Sequence, residues 1–290
     1  MANTTLEIIQ ACAGVSVFAY VFSRGLGSRF VDLGYFGARP GLMLRSFLSV
    51  DVIVPLIAMA AVILVSPAKP TSIGLLLLAS SPAAPLVLRA ISKAGGKPEY
   101  AVSLQVMLAS LAIVMTPVTL FLLSAVTGLT LGIDPLNVAE SVGLSVLLPL
   151  LAGAATRWLF PALAARIILP LEALSSIVLA VVYAIVLLST YRLIFMLDIR
   201  SYVAMALMVA GALVSGHLAA SGLPEEQTTL ALESASRNSG LAMLIASEFA
   251  SLENALPVLI PYALASAIIC FIYVRYQKME RGAKSSAASD

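Results

Sequence analysis

Charge is what this sequence has least of: 11% of its 290 residues are Asp, Glu, Lys or Arg, whereas a soluble domain carries roughly a quarter. With 60% apolar residues and a mean hydropathy of +1.02, that scarcity excludes an ordinary soluble protein. The net charge is only +2, too small a footprint for nucleic-acid binding. The two cysteines, Cys12 and Cys270, are far apart in apolar runs, which argues against a disulfide framework or a thiolate metal site. There is one histidine, His217, at the end of an apolar run, and a solvated or headgroup-facing role is expected for it. No segment alternates apolar and polar residues over ten positions, as a membrane β-barrel would require. No Walker A loop, H-E-x-x-H or G-x-S-x-G is present, so neither ATP-driven transport by this chain alone nor common hydrolase chemistry is supported. No basic n-region precedes the first apolar run, which therefore reads as a true span and not a cleaved signal.

What is there is a series of long apolar runs, each sized to cross a hydrocarbon core that needs about 20 residues. They fall at approximately 5–23, 46–66, 71–92, 100–126, 138–160, 168–191, 201–221, 226–250 and 255–275. The expectation is an all-α membrane protein of about nine transmembrane helices, with residues 1–290 forming one polytopic domain and 277–290 a disordered cytoplasmic tail. An inside C-terminus puts Arg24, Arg29, Arg39, Arg45, Lys93, Lys97, Arg157, Arg166 and the basic residues from Arg275 to Lys284 on the inner side. The outer loops then hold Lys69, Arg192 and Arg200, and the positive-inside rule gives the N-terminus outside and the C-terminus in the cytoplasm. Trp158, Phe160, Tyr191 and Tyr202, near run ends, suit interfacial anchors.

Arg89 and Arg237 fall inside apolar runs, as do Asp51 and Glu233. A charge at mid-bilayer costs at least about 2.5–3.5 kcal/mol on insertion scales, so these groups should face protein or water. In Leu232–Ala242, LESASRNSGLA, the i, i+4 spacing of Glu233 and Arg237 allows a local ion pair on a continuous helix. The neighbours Ser234, Ser236, Asn238 and Ser239 favour the other reading, since such residues bond their own backbone and make poor helix. A broken helix at membrane depth is tolerated where its freed backbone groups line a site.

A second break is expected in the run 71–92, where Pro82 and Pro85 remove two backbone donors and Ser80 and Ser81 can cap the half that follows. Counted from the C-terminus, the break at 232–242 lies in the fourth run of a five-run unit, 138–276. The break at Pro82 occupies the same position in 5–126 if that unit lacks its leading helix. Units of five crossings in series are inverted, and paired breaks in inverted repeats are the sequence mark of a transporter site.

These residues resemble the bile acid:sodium symporter family. The stretch 226–242, EQTTLALESASRNSGLA, is similar to that family's ninth-helix signature of Thr, Glu and Asn-x-Gly-Leu-Ala; GLLLLASSP at 74–82 is similar to its fourth-helix entry, and VLLPLLAGAATR at 146–157 to its sixth-helix P-x-x-x-G. The resemblance implies inverted five-helix repeats, here with the first helix missing, and a core domain with two crossed broken helices that moves against a panel domain. It implies a secondary transporter of a small organic anion working by alternating access in a bacterial inner membrane, with the lipid bilayer and the anion as its partners. It leaves the oligomeric state open.

By that resemblance Glu233 matches a sodium-ligating glutamate and Asn238 the asparagine of the same motif. Yet the side-chain ligands that two-sodium members carry after the fourth-helix proline are replaced by Ala83, Ala84, Pro85, Leu86, Val87 and Leu88, and two hydroxyl ligands of the next helix fall at Gln105 and Ala109. Arg237 stands where symporters have glutamine, and arginine offers a metal no lone pair. The expected site is Ser81, Pro82, Arg89, Gln105, Glu233, Ser234, Ser236, Arg237, Asn238 and Ser239, with Glu233 as the sodium ligand if sodium binds and Arg237 as a fixed cation if it does not. Arg89 either reaches the headgroups or faces the cavity; Asp51 is an ion partner for Arg237 or Arg89, or a proton-linked carboxylate. Two other functions fit the class: a non-transporting sensor or partner-binding protein with a decayed ion site, and an arsenite-type efflux carrier, for which the cysteine at the fourth-helix break is missing. No cofactor is expected beyond the coupling ion.

Overall fold

The computed structural model describes residues 2–27, 35–84, 87–129, 134–195, 197–220, 222–248 and 256–287, and among them every regular element is a helix and there is no strand. In chain order the helices are α1 (Ala2–Gly27), α2 (Pro40–Val65), α3 (Lys69–Ser80), α4 (Val87–Lys93), α5 (Pro98–Thr127), α6 (Pro135–Leu159), α7 (Pro161–Ile194), α8 (Ile199–Ala219), α9 (Pro224–Ala235), α10 (Ser239–Glu248) and α11 (Leu256–Ala287). Stretches in α2, α5, α6, α7, α8 and α11 are long and apolar enough to cross a membrane. Proline opens α2, α5, α6, α7 and α9, where its fixed φ suits a first helical residue and its missing N–H is no loss. The last helix continues to Ala287, through most of the segment read as a tail. Pro85 and Leu86 of the first break lie outside the described residues, as does Arg29.

Two of the expected runs are interrupted. The run 71–92 forms α3 and α4, and the run 226–250 forms α9 and α10. Each piece has 12 residues or fewer, too short to cross a core of about 30 Å alone. Thr71–Ser80 of α3 and Thr228–Ala235 of α9 are buried throughout, which places both in the centre of the molecule. By contrast α7 exposes Leu169, Leu174, Ile177 and Leu188, an apolar face turned to lipid.

Prolines also widen two continuous helices. Residues Leu48–Ile53 of α2 and Gly143–Leu147 of α6 form π-turns, immediately before Val54-Pro55 and Leu148-Pro149. A proline ring crowds the carbonyl four residues back, and slipping to i→i+5 bonding relieves that contact. In α2 the Val54 N–H consequently bonds Ser49 O. Pro55 has no N–H, so the carbonyl of Val50 is left without a partner in its own helix.

The helices pack in two groups. In one, α1 lies along α6 and α7; in the other, α8 lies along α9, α2 and α11. Glycine sets the closest approach in each. A Cβ on Gly153 of α6 would lie 2.2 Å from Phe22 O and 2.9 Å from Gly25 Cα of α1, and one on Gly216 of α8 would lie 2.5 Å from Leu230 O of α9. Such backbone contacts tie helices together where lipid offers no hydrophobic driving force.

Candidate functional site

The two breaks meet. Ala83 and Arg237 pair as a single antiparallel bridge, with Ala84 N–H donating to Ser236 O at 2.7 Å and Asn238 N–H to Pro82 O at 2.9 Å. Each interruption thus satisfies backbone groups that the other lost on leaving the helix, as a buried break must. Asn238 caps α10, its Oδ1 accepting Leu241 N–H at 3.1 Å. At the end of α9, Ala235 O accepts the Ser266 hydroxyl of α11 at 3.2 Å.

Arg237 lies inside this crossing, 3% exposed. Its Nε donates to Leu78 O at 3.1 Å, Nη2 to Ala79 O at 2.6 Å and Nη1 to Val50 O at 3.1 Å. Two of these acceptors can be traced to prolines. Pro55 frees Val50 O in the π-turn, and Pro82 denies Leu78 O its fourth-residue donor, leaving that carbonyl only Ser81 N–H at 3.1 Å. Leu78 and Ala79 also carry the negative end of the α3 dipole, where a cation is favoured. The alternative of a local Glu233–Arg237 ion pair on a continuous helix is not realised: among the described residues no carboxylate lies within 4 Å of Arg237, because the helix ends between it and Glu233. Asp51, in the π-turn of α2, pairs with neither Arg237 nor Arg89, and its Oδ2 is buried without a partner.

Glu233 is fully buried in α9. Its Oε2 accepts Gln105 Nε2 of α5 at 3.4 Å, the same amide donates to Ala84 O at 3.2 Å, and Oε1 has no partner among the described residues. Gln105 therefore places an NH2 group between two oxygens that could otherwise face a cation. Sodium takes several oxygen ligands at once, and here the guanidinium and the amide donate to five of the converging oxygens, while Glu233 Oε1 stays outside their reach.

The remaining predicted residues separate. Ser234 Oγ bonds Ser49 Oγ at 3.0 Å, in a hydroxyl chain between helices and away from the cavities. Ser80 and Ser81 do not cap α4: both donate back to Leu77 O, at 2.8 and 2.9 Å, closing the end of α3. Ser236, Arg237, Asn238 and Ser239 line a cavity of ≈ 680 Å³ between α1, α4 and α11, with Lys93 and Lys278 also on its wall. Pro82, Gln105 and Asn238 line a smaller one of ≈ 110 Å³ between α1, α5 and α6. Arg89 is outside both, with its side chain 54% exposed and Nη2 3.5 Å from Glu172 of α7. His217 bonds Tyr273 of α11 at 2.8 Å and is not simply solvated.

Two residues of the smaller cavity's surroundings escaped the sequence. Arg24 read as an inner-loop charge because the apolar run stops at 23, but α1 continues to Gly27 and puts Arg24 on the cavity wall. Its partner Glu172, an acid inside the run 168–191, was the available signal. Arg39, also read as a loop charge, pairs with the fully buried Glu226 of α9, which accepts the Tyr35 hydroxyl at 2.6 Å.

The model of the Sodium Bile acid symporter family matches residues 15–217, more than half of the chain. The protein belongs to the sodium bile acid symporter family. No curated protein matches it. As a member of a transporter family with this set of apolar helices, the chain is an integral membrane protein. The match ends within α8, so in this family member Arg24, Pro82 and Gln105 lie inside the matched residues and Glu233–Ser239 beyond them.

Proposed function

We propose that this sodium bile acid symporter family member is a secondary transporter of a small organic anion, that it works by alternating access, and that it does so without sodium. The observation that carries the reading is Arg237, a cation tethered among three backbone oxygens at the crossing of two broken helices. Gln105, donating to Glu233 and Ala84, supports it from the other side. With both groups in place the crossing has its positive charge in every state of the cycle, and no ion need bind to assemble it. Counting each interrupted pair as one crossing gives nine: four in a first repeat, 5–126, lacking its leading helix, and five in an inverted second repeat, 138–276. In this reading α1, α6 and α7 are the panel and the other helices the core, and the cavities beside Asn238 are where substrate meets the crossing. The orientation follows the basic residues, N-terminus out and C-terminus in the cytoplasm of a bacterial inner membrane.

The test is uptake of organic anions into proteoliposomes in sodium and in choline. Equal rates are expected. A second arm uses Glu233→Gln: a monodisperse, stable variant that no longer transports supports a site role, whereas a variant that fails to fold assigns Glu233 to structure alone.

A further inference from the structure

Beside the smaller cavity lies an ion cluster that the crossing does not use, and one member of it, Arg24, is on the cavity wall. Glu172 Oε1 lies 2.5 Å from Arg24 Nη2 and 3.5 Å from Arg89 Nη2. The three side chains come from three elements, α7, α1 and α4, and together they carry one net positive charge. Arg24 is held in place by its own helix: Nη2 donates to the Tyr20 hydroxyl at 2.7 Å, and the guanidinium sits 4.6 Å from the centre of the Tyr20 ring.

The fork is incompletely used. An arginine presents Nε and Nη as a planar pair that a carboxylate can take with both oxygens. Glu172 approaches through Nη2, while Arg24 Nε is buried with no hydrogen-bond partner among the described residues. Such an orphaned buried donor is costly, and more so when charged. That N–H belongs to a residue of the cavity wall, which Arg24 shares with Gln105 and Asn238. The volume, ≈ 110 Å³, is about four times the share of one liquid water and below the roughly 300 Å³ at which drug-sized pockets begin. It suits an acid of a few carbons and not a steroid.

We propose that Arg24 is the anion anchor of this cavity, that Glu172 is its tethered counter-ion, and that a short-chain monocarboxylate is the ligand that takes its place. The proposal rests on the reading of the chain as an organic-anion transporter and names the substrate class and the residues that read it. When the ligand engages Nε and Nη2 of Arg24, Glu172 keeps Arg89 as its partner, and the single positive charge of the cluster is neutralised. A dianion would leave a net negative charge, so the cluster also selects for one carboxylate.

The experiment titrates the full-length protein in detergent with the potassium salts of acetate, propionate, butyrate and hexanoate. Potassium chloride at equal ionic strength and the matching amides serve as controls, and binding is read by calorimetry. Saturable binding of at least one short acid, and of none of the amides, is expected. Glu172→Gln should tighten it about tenfold and Arg24→Lys weaken it about tenfold, the worth of one charge-assisted hydrogen bond. The double variant Arg24→Gln/Glu172→Gln, which removes opposite charges together and so avoids a buried unpaired ion, should not bind. The proposal is overturned if neither wild type nor Glu172→Gln binds any of the acids, if Glu172→Gln leaves the affinity unchanged, or if the double variant binds like wild type. Its failure is separable from that of the transport reading. Uptake of an organic anion that Glu233→Gln abolishes, with binding unchanged in the Arg24 and Glu172 variants, removes the anchor and keeps the transporter. Binding as predicted with no uptake of any of these acids keeps the anchor and removes the transporter.

Discussion

Among the described residues Arg237 is held by three carbonyls and by no carboxylate, and this shapes what its substitution should do. Arg237→Ala strips three donors from buried oxygens and leaves a hole, so it should lower stability by about 3 kcal/mol in detergent unfolding. Arg237→Lys keeps the charge but not the fork, and about half that loss is expected. A finer test uses Pro55. Pro55→Ala restores an N–H within reach of Val50 O, so the cost of Arg237→Ala should be about 1 kcal/mol smaller in the Pro55→Ala background, measured as a double-mutant cycle. The sequence marked Arg237 and Glu233 as buried charges at a helix break, with Arg237 as a fixed cation and Glu233 or Asp51 as alternative ion partners for it, but it did not show what holds the guanidinium. Carboxylates are visible in a sequence; backbone carbonyls freed by Pro55 and Pro82 are visible only to a reader who follows each missing N–H to the oxygen it strands. Arg24 and Glu172 were overlooked for a different reason, since a charge beside the end of an apolar run looks the same whether it enters a cavity or the headgroups.

Proline and glycine do most to shape the elements. The break at Pro82 and the break at Ser236–Asn238 were legible because proline removes donors and short polar residues compete for the backbone. The π-turns of α2 and α6 were not, although Pro55 and Pro149 were in view, because a proline in a membrane helix is accommodated by a kink, a bulge or an unbroken turn according to its neighbours. Pro117 in α5 and Pro261 in α11 sit within continuous helices. The P-x-x-x-G of α6 gains a physical meaning from Gly153, which meets the α1 backbone. Gly153→Val should prise α1 from α6 at a cost of about 2 kcal/mol or more, seen as a lower melting temperature, while Gly14→Val, which meets nothing within 4 Å, should cost little. At the start of α8 the Ser201 hydroxyl and N–H hold the Asp198 carboxyl below its usual range. A depressed folded value contributes stability above the unfolded value near 4 that is lost as pH falls through the folded one, and Asp198→Asn should flatten that part of the acid melting profile.

The whole molecule joins a group of three helices, α1, α6 and α7, to a larger group built around the buried crossing. Most of the apolar runs, both breaks and the family were legible in the sequence, since hydropathy and helix breakers act locally. The contact between the breaks was not, because 154 residues separate Ala83 from Arg237 and backbone pairing leaves no side-chain signature. In the proposed function Arg237 and Gln105 occupy the crossing in place of sodium, and thermal unfolding of the purified protein in sodium chloride against choline chloride decides between the two. A sodium site filled to 100 times its dissociation constant would add about 2.7 kcal/mol, or roughly 5 °C or more for a chain of this size. Equal melting temperatures are expected in the two salts, and a saturable rise specific to sodium would overturn the sodium-free reading.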